Sequence, residues 1–135
     1  IKQMTRKDAR ELTMQIIFYI YAQNEFEQSN FEKYIAHKNI LNQRDYIQNI
    51  FDIICTKHEE IDSKINKYST VWQTSRMPKA DLAITRLSVA EIIFIDDVPT
   101  SVSINEAVNL AKTYGTNESS KYINAILGKV EKDNE

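Results

Sequence analysis

Apolar residues recur every three or four positions along most of this chain, and this spacing predicts amphipathic helices. Residues 44–68 show a strong helical period, which is either sustained or broken near residues 56–60. The predicted helices are residues 6–22, 44–68, 79–95, 103–114 and a last helix that includes 122–130. Residues 31–35 and 69–78 are short segments of less defined pattern, so the sequence predicts six or seven helices in total.

Polar residues mark several of the predicted helix ends. Thr5 followed by Asp8 has the spacing of a capping box, in which the side chain accepts a hydrogen bond from a backbone N–H of the first turn. Ser103 followed by Glu106 repeats this spacing and predicts that a helix begins there. Gly115 ends the same helix, and we expect it to be a left-handed C-cap.

Residues 79–95 are apolar on nearly every face, which is typical of the buried helix at the centre of a bundle. Arg86 lies inside this helix, and a buried arginine needs a partner. Asp81 and Glu91 are each five residues away, so they are poor same-face partners. Either another helix supplies a carboxylate, or Arg86 emerges onto a functional face.

The composition also favours helices. Only two glycines and two prolines occur among 135 residues, where average usage predicts about nine and about seven. Gly-rich phosphate loops need clustered glycines, and β-sheet folds with many hairpins consume both residue types. We therefore predict an all-α, compact fold with residues 1–135 as a single domain and a potential division near residues 69–79.

The sequence offers little for catalysis or metal binding. Cys55 is the single cysteine, which excludes an internal disulfide and a multi-cysteine zinc site. His37 and His58 belong to no metal-binding motif. We expect no enzymatic activity, no cofactor and no metal. No apolar run reaches the roughly 18 residues needed to span a membrane, so we expect a cytoplasmic protein.

One end of the chain is basic, although the whole chain has a net charge of −2. Residues 1–10 hold the cations Lys2, Arg6, Lys7 and Arg10 against the single acid Asp8. Cations at a helix N-terminus oppose the helix dipole. Either they bind phosphates together with the free N–H groups of the first turn, or they only solvate the helix start. The residues alone leave both interpretations open.

Several short motifs occur together over nearly the whole chain. They are RKDARE at residues 6–11 with Gln15 and Phe18, LAITRL at 82–87, DVP at 97–99, VSINEAVNLAK at 102–112, YG at 114–115 and SKYIN at 120–124. With this combination the chain resembles the bacterial NusB family of transcription antitermination factors. NusB-like domains fused to RNA cytosine methyltransferases share the combination, but this chain contains no cofactor-binding glycines.

The resemblance implies an all-helical fold of two small helical sub-bundles without catalytic activity. It implies binding of the single-stranded boxA element of ribosomal-operon leader RNA. The implied partners are NusE, a small-subunit ribosomal protein, and the antitermination complex of RNA polymerase. Family members are monomers or dimers, so a homodimer stays open. By resemblance, the RNA-binding residues are Lys2, Arg6, Lys7, Arg10, Phe18, Asp81, Arg86, Glu118, Lys121 and Tyr122.

Two positions depart from the family's pattern. Phe18 stands where family members often have tyrosine, and its ring can still stack on a base. Asp8 stands where the family often has a further basic residue, and it lowers the local charge. The alternative function is a helical protein–protein adaptor or regulatory domain that does not bind RNA.

Overall fold

The structure is a computed structural model that describes residues 3–135. Its helices are α1 (Arg6–Gln23), α2 (Phe31–Ile35), α3 (Arg44–Tyr68), α4 (Lys79–Phe94), α5 (Thr100–Tyr114) and α6 (Ser119–Asp133), with short 3-10 turns at Gln28–Asn30 and Leu41–Gln43. Within residues 3–135 there is no strand, so the prediction of an all-α fold with six or seven helices is confirmed. The single-domain assignment of residues 1–135 stays a prediction.

Helix α1 begins and ends close to where the sequence predicts. The Oγ1 atom of Thr5 accepts a hydrogen bond of 3.0 Å from the backbone N–H of Asp8, so the first capping prediction is confirmed. The helix ends at Asn24, whose φ of 54° and ψ of 46° place it in the left-handed region. Asparagine tolerates that conformation better than most residues other than glycine.

Helix α5 departs from the prediction at both ends. It begins at Thr100, directly after Pro99, so Ser103 lies inside the helix and the predicted cap at Ser103 is wrong. The Ser103 hydroxyl instead donates 2.8 Å to Glu91 of α4. Gly115 is extended, with φ −101° and ψ −169°, so the predicted left-handed cap is also wrong.

Gly115 is required for a close approach between helices. A Cβ atom at this position would lie 2.5 Å from the Cβ of Ser119 and 2.7 Å from Oδ1 of Asp81. Real Cβ atoms essentially never lie so close to other heavy atoms, so only glycine allows α6 and α4 to meet here. Gly115 is therefore needed at the end of α5 for close packing against Ser119 and Asp81 and not for a left-handed backbone conformation.

Helix α3 runs without a break through residues 56–60, and residues 69–78 then connect it to α4 without a helix. The side chain of Asn66 holds this connection. Its Oδ1 accepts 2.8 Å from the Thr74 N–H, and its Nδ2 donates 3.2 Å to Thr74 Oγ1. The 69–78 connection is thus fixed to the last turns of α3.

Helix α4 lies at the centre of the bundle, and every residue from 81 to 92 is buried. It packs against α1, α3, α5 and α6. Helix α5 runs antiparallel to α4, because Ser103 meets Glu91 while Gly115 meets Asp81. Asp81 and Glu91 therefore mark opposite ends of the bundle, about 15 Å apart along α4 at a rise of about 1.5 Å per residue.

Candidate nucleic-acid interface

The start of α1 presents two exposed cations, Arg6 and Lys7. Arg6 is held by two contacts from the 3-10 turn and α3. Its Nε donates 2.7 Å to Oε1 of Gln43, and its guanidinium carbon lies 4.2 Å from the ring centre of Tyr46. Within the described residues no ion pair holds either cation, so both charges are available to an anion. The predicted residue Lys2 lies outside the described residues.

Arg10 shares a helical face with Arg6 but is only 6% exposed. Its Nε and Nη2 donate 2.8 Å and 3.2 Å to the two carboxylate oxygens of Glu91, which is 1% exposed. Tyr46 and Ser103 donate their hydroxyls to the same carboxylate. Burial acts to lower the pKa of Arg10, but the hydrogen bonds and charge of Glu91 raise it overall. Arg10 therefore ties helices together, and its RNA contact stays a prediction.

Arg86 has found a partner on another helix, which confirms the first of the two alternatives for a buried arginine. Its Nε and Nη2 each donate 2.9 Å to a carboxylate oxygen of Asp62 on α3. The guanidinium also lies on the ring of Tyr21, with its carbon 3.1 Å from the ring centre. Arg86 is 8% exposed, so its predicted RNA contact would have to use the small remaining surface.

Phe18 lies on the exposed face of α1, with 37% of its surface accessible. Together with Lys79 and Arg86 it lines a recess of about 260 Å³ beside the 69–78 connection. Its ring stands edge-on to the exposed ring of Tyr19 at 5.6 Å between centres. Exposed aromatic rings of this kind can stack on unpaired bases.

The remaining four predicted residues come together at the other side of the same connection. They line a recess of about 610 Å³, whose predicted members are Asp81, Glu118, Lys121 and Tyr122. Asp81 is buried at its floor, where Oδ2 accepts 2.8 Å from Ser119 and a second hydrogen bond from the Tyr122 hydroxyl. Burial, followed by this hydrogen bond, raises the pKa of Tyr122. Asp81 is far from the other three residues in the sequence, so their spacing alone did not predict that the four would lie together.

Sequence reasoning missed three residues of this interface. Gln43 and Tyr46 support Arg6, and Trp72 lines the 610 Å³ recess with 40% of its surface exposed. Tyr46 was hidden in the apolar stripe of α3. Trp72 did carry a signal. Tryptophan is mostly buried in folded proteins, so a tryptophan among polar residues in a connecting segment is unusual.

The arrangement defines two groups at opposite ends of α4: the exposed cations of α1 and the polar, aromatic recess beside Trp72. Cations beside exposed aromatic rings are suited to binding a nucleic acid strand. Within the described residues there is no group of His, Cys, Asp and Glu that could hold a metal ion. None of the helices between residues 3 and 135 is long and apolar enough to cross a membrane.

These features define a small helical binding protein with a surface suited to an anionic, aromatic ligand. The profile of the NusB family matches residues 7–132. The chain belongs to the NusB family, whose members act in transcription antitermination and are not enzymes.

Relatives and solved structures agree with this assignment. The transcription antitermination protein NusB of Alkaliphilus oremlandii is 43% identical over 93% of this chain and 92% of its own length. NusB of T. maritima has a similar structure with a TM-score of 0.86 and 25% identity over 98% of this chain and 94% of that one. A chain in a complex of the antitermination factors NusB and NusE with double-stranded RNA matches with a TM-score of 0.81 and 25% identity. The match covers 95% of this chain and 96% of that one. The chain is thus an antitermination factor of the NusB type.

Proposed function

We propose that this protein binds single-stranded boxA RNA from the leaders of ribosomal RNA operons together with NusE, and so supports read-through by RNA polymerase. The observation that carries the proposal is the pair of exposed cations, Arg6 and Lys7, at the start of α1. The similar complex of NusB with NusE and double-stranded RNA supports an RNA ligand and a protein partner. The exposed rings favour unpaired bases, since bases in a duplex are already stacked.

The RNA strand follows α1 from its basic start toward the 69–78 connection. Arg6 and Lys7 contact phosphates at one end, Phe18 offers a ring midway, and Lys121 contacts a phosphate at the recess. Such a path joins the exposed members of both residue groups. Arg10 and Arg86 act from below the surface, because their ion pairs hold α1, α3 and α4 in the positions that create it.

The first experiment measures the anisotropy of a labelled boxA-like RNA oligonucleotide with and without NusE. Three phosphate contacts predict that log K falls with log salt at a slope of about −2, from roughly 0.7 per contact on single strands. The double variant Arg6→Gln and Lys7→Gln should flatten the slope to about −0.7 and weaken binding. A matched control replaces Lys57 and Lys132, which are exposed cations outside the proposed path.

An unchanged slope in the Arg6 and Lys7 variant would remove the start of α1 from the RNA site. NusE should raise RNA affinity by the same factor as RNA raises NusE affinity, since coupling between binding sites is reciprocal. If NusE binds but RNA binds neither alone nor with NusE, the adaptor alternative holds instead. Sedimentation of the free protein decides between the monomer and the homodimer.

A further inference from the structure

Trp72 is the single tryptophan of the chain, and it lies in the 69–78 connection rather than in the core. The backbone around it is held in place on both sides. Ser69 Oγ accepts 3.2 Å from the Trp72 N–H and also donates to the Trp72 carbonyl. Two residues later, Thr74 is bound by Asn66 of α3. The indole is therefore presented on a fixed support, so binding to it requires little ordering of the loop.

The recess beside the indole combines apolar walls with polar groups at its rim and floor. Val71, Pro78 and Ala125 contribute apolar surface. Glu118 and Lys121 stand at the rim, with 75% and 76% of their side chains exposed and 3.9 Å between Nζ and Oε1. A flat ligand with an apolar face, a polar edge and an attached anion matches this combination. A volume of about 610 Å³ lies within the range of roughly 300–1,000 Å³ typical of small-ligand sites.

We propose that Trp72 is a further RNA-binding residue, and that its indole stacks on one nucleobase lodged in this recess. Lys121 lies beside the phosphate of that nucleotide, and the Glu118 carboxylate accepts a hydrogen bond from an amino group on the base edge. The recess therefore prefers a base with an exocyclic amino group. A phosphate-linked base is favoured over a protein side chain because the rim offers a cation next to an exposed ring. This inference rests on the proposed RNA binding.

Because Trp72 is the single tryptophan of the chain, tryptophan fluorescence reports directly on its indole. The protein is excited at the red edge of the spectrum, where tyrosine does not absorb, and is titrated with a boxA-like oligonucleotide. Emission should be quenched and should saturate at the same RNA concentration as the anisotropy of the labelled RNA. Oligonucleotides with one abasic position each should locate the base. Removing the stacked base should abolish the quench at saturation and weaken binding by the contribution of one stacked base, about 5- to 150-fold, whereas removing any other base should leave the quench at saturation unchanged.

Variants give a second, independent test. Stacking of one base on an aromatic side chain predicts about 5- to 150-fold weaker RNA binding for Trp72→Ala. Trp72→Phe should keep most of that affinity. The salt dependence of binding should stay the same in both, since stacking releases no counterions. Gln73→Ala changes an exposed neighbour that does not line the recess and should bind RNA as the unmodified protein does. Circular dichroism checks that each variant is folded.

The outcomes separate this inference from the proposed function. If RNA binds while the emission of Trp72 stays constant, the indole is not at the RNA and the inference is wrong, although the proposed function stands. If NusE alone quenches the emission and RNA does not, the recess binds protein and the inference is again wrong. If RNA binds neither alone nor with NusE, the proposed function fails and the inference fails with it.

Discussion

The ion pair between Arg10 and Glu91 should be a main determinant of stability rather than a contact with RNA. Replacing Arg10 with methionine keeps an unbranched apolar stem and removes the charge. The Glu91 carboxylate, 1% exposed, then loses two of its four donors and keeps only the hydroxyls of Tyr46 and Ser103. Removing one partner of a buried ion pair typically costs about 3–5 kcal/mol. Because two hydroxyls remain, we expect the low end of that range, about 3 kcal/mol, for Arg10→Met.

A change at Glu91, alone and together with the change at Arg10, measures the interaction between the two residues. Glu91→Gln leaves the Arg10 cation buried without its counter-charge and should cost a similar amount. The double variant should cost at least about 2 kcal/mol less than the sum of the two, because no unpaired charge is then buried. The neutral amide that replaces the Glu91 carboxylate can accept from one of the hydroxyls of Tyr46 and Ser103 and donate to the other. As a control, Arg44→Met removes an exposed ion pair with Glu32 and should cost less than about 1 kcal/mol.

Urea unfolding followed by circular dichroism measures these differences. At a slope of about 1–3 kcal/mol per molar urea, a loss of about 3 kcal/mol lowers the midpoint by about 1–3 M. A loss below about 1 kcal/mol for Arg10→Met, or a double variant that costs the full sum, would refute the reasoning. In that case Arg10 would be free to serve as the phosphate contact that the family resemblance implies.

Three further predictions concern the environments of single residues. Gly115→Ala should destabilise the protein by about 1–3 kcal/mol, because its Cβ meets side-chain atoms at 2.5 Å, whereas Gly128→Ala meets nothing within 4 Å and should be neutral or stabilising in thermal unfolding. Burial raises the pKa of Cys55 from about 9 to about 11, so between these pH values the thiol ionises in the unfolded chain but not in the folded one. The urea midpoint should therefore fall as pH rises from about 9 to about 11, and an undiminished fall in Cys55→Ala would contradict this. Gln43→Ala should weaken RNA binding only when Arg6 is present, so additive effects in a double-mutant cycle would contradict a positioning role for Gln43.

The helices were easier to predict from the sequence than the contacts between them. The bounds of α1 follow from a local cap at Thr5 and an apolar stripe, and both are properties of neighbouring residues. Ser103 misled the prediction because its hydroxyl serves a carboxylate on another helix. Arg10 looked like a surface cation for the same reason: its partner Glu91 lies 81 positions further along the chain. No local pattern records such a pairing.

The grouping of residues in the recess beside Trp72 was equally hard to predict. Glu118 and Tyr122 were proposed from family resemblance, but nothing in their spacing placed them beside Asp81 and Trp72. The recess exists because the 69–78 connection folds back over the start of α6, and Asn66 fixes that fold through hydrogen bonds across eight positions. Tertiary packing, not helix propensity, creates this surface.

Asp81, Arg86 and Glu91 follow one another at intervals of five residues on the buried helix α4. At about 100° per residue, each is turned about 140° from the last, so the three face the surrounding helices in three directions. Each has its own complement: Ser119, Asp62 and Arg10. A substitution at any one of them removes a partner from a polar group that is buried or, for Asp62, partly buried, so it is best tolerated together with a change at its complement. Over evolutionary time these positions should therefore vary as pairs, and an alignment of NusB sequences should show covariation at 81 with 119, 62 with 86 and 10 with 91.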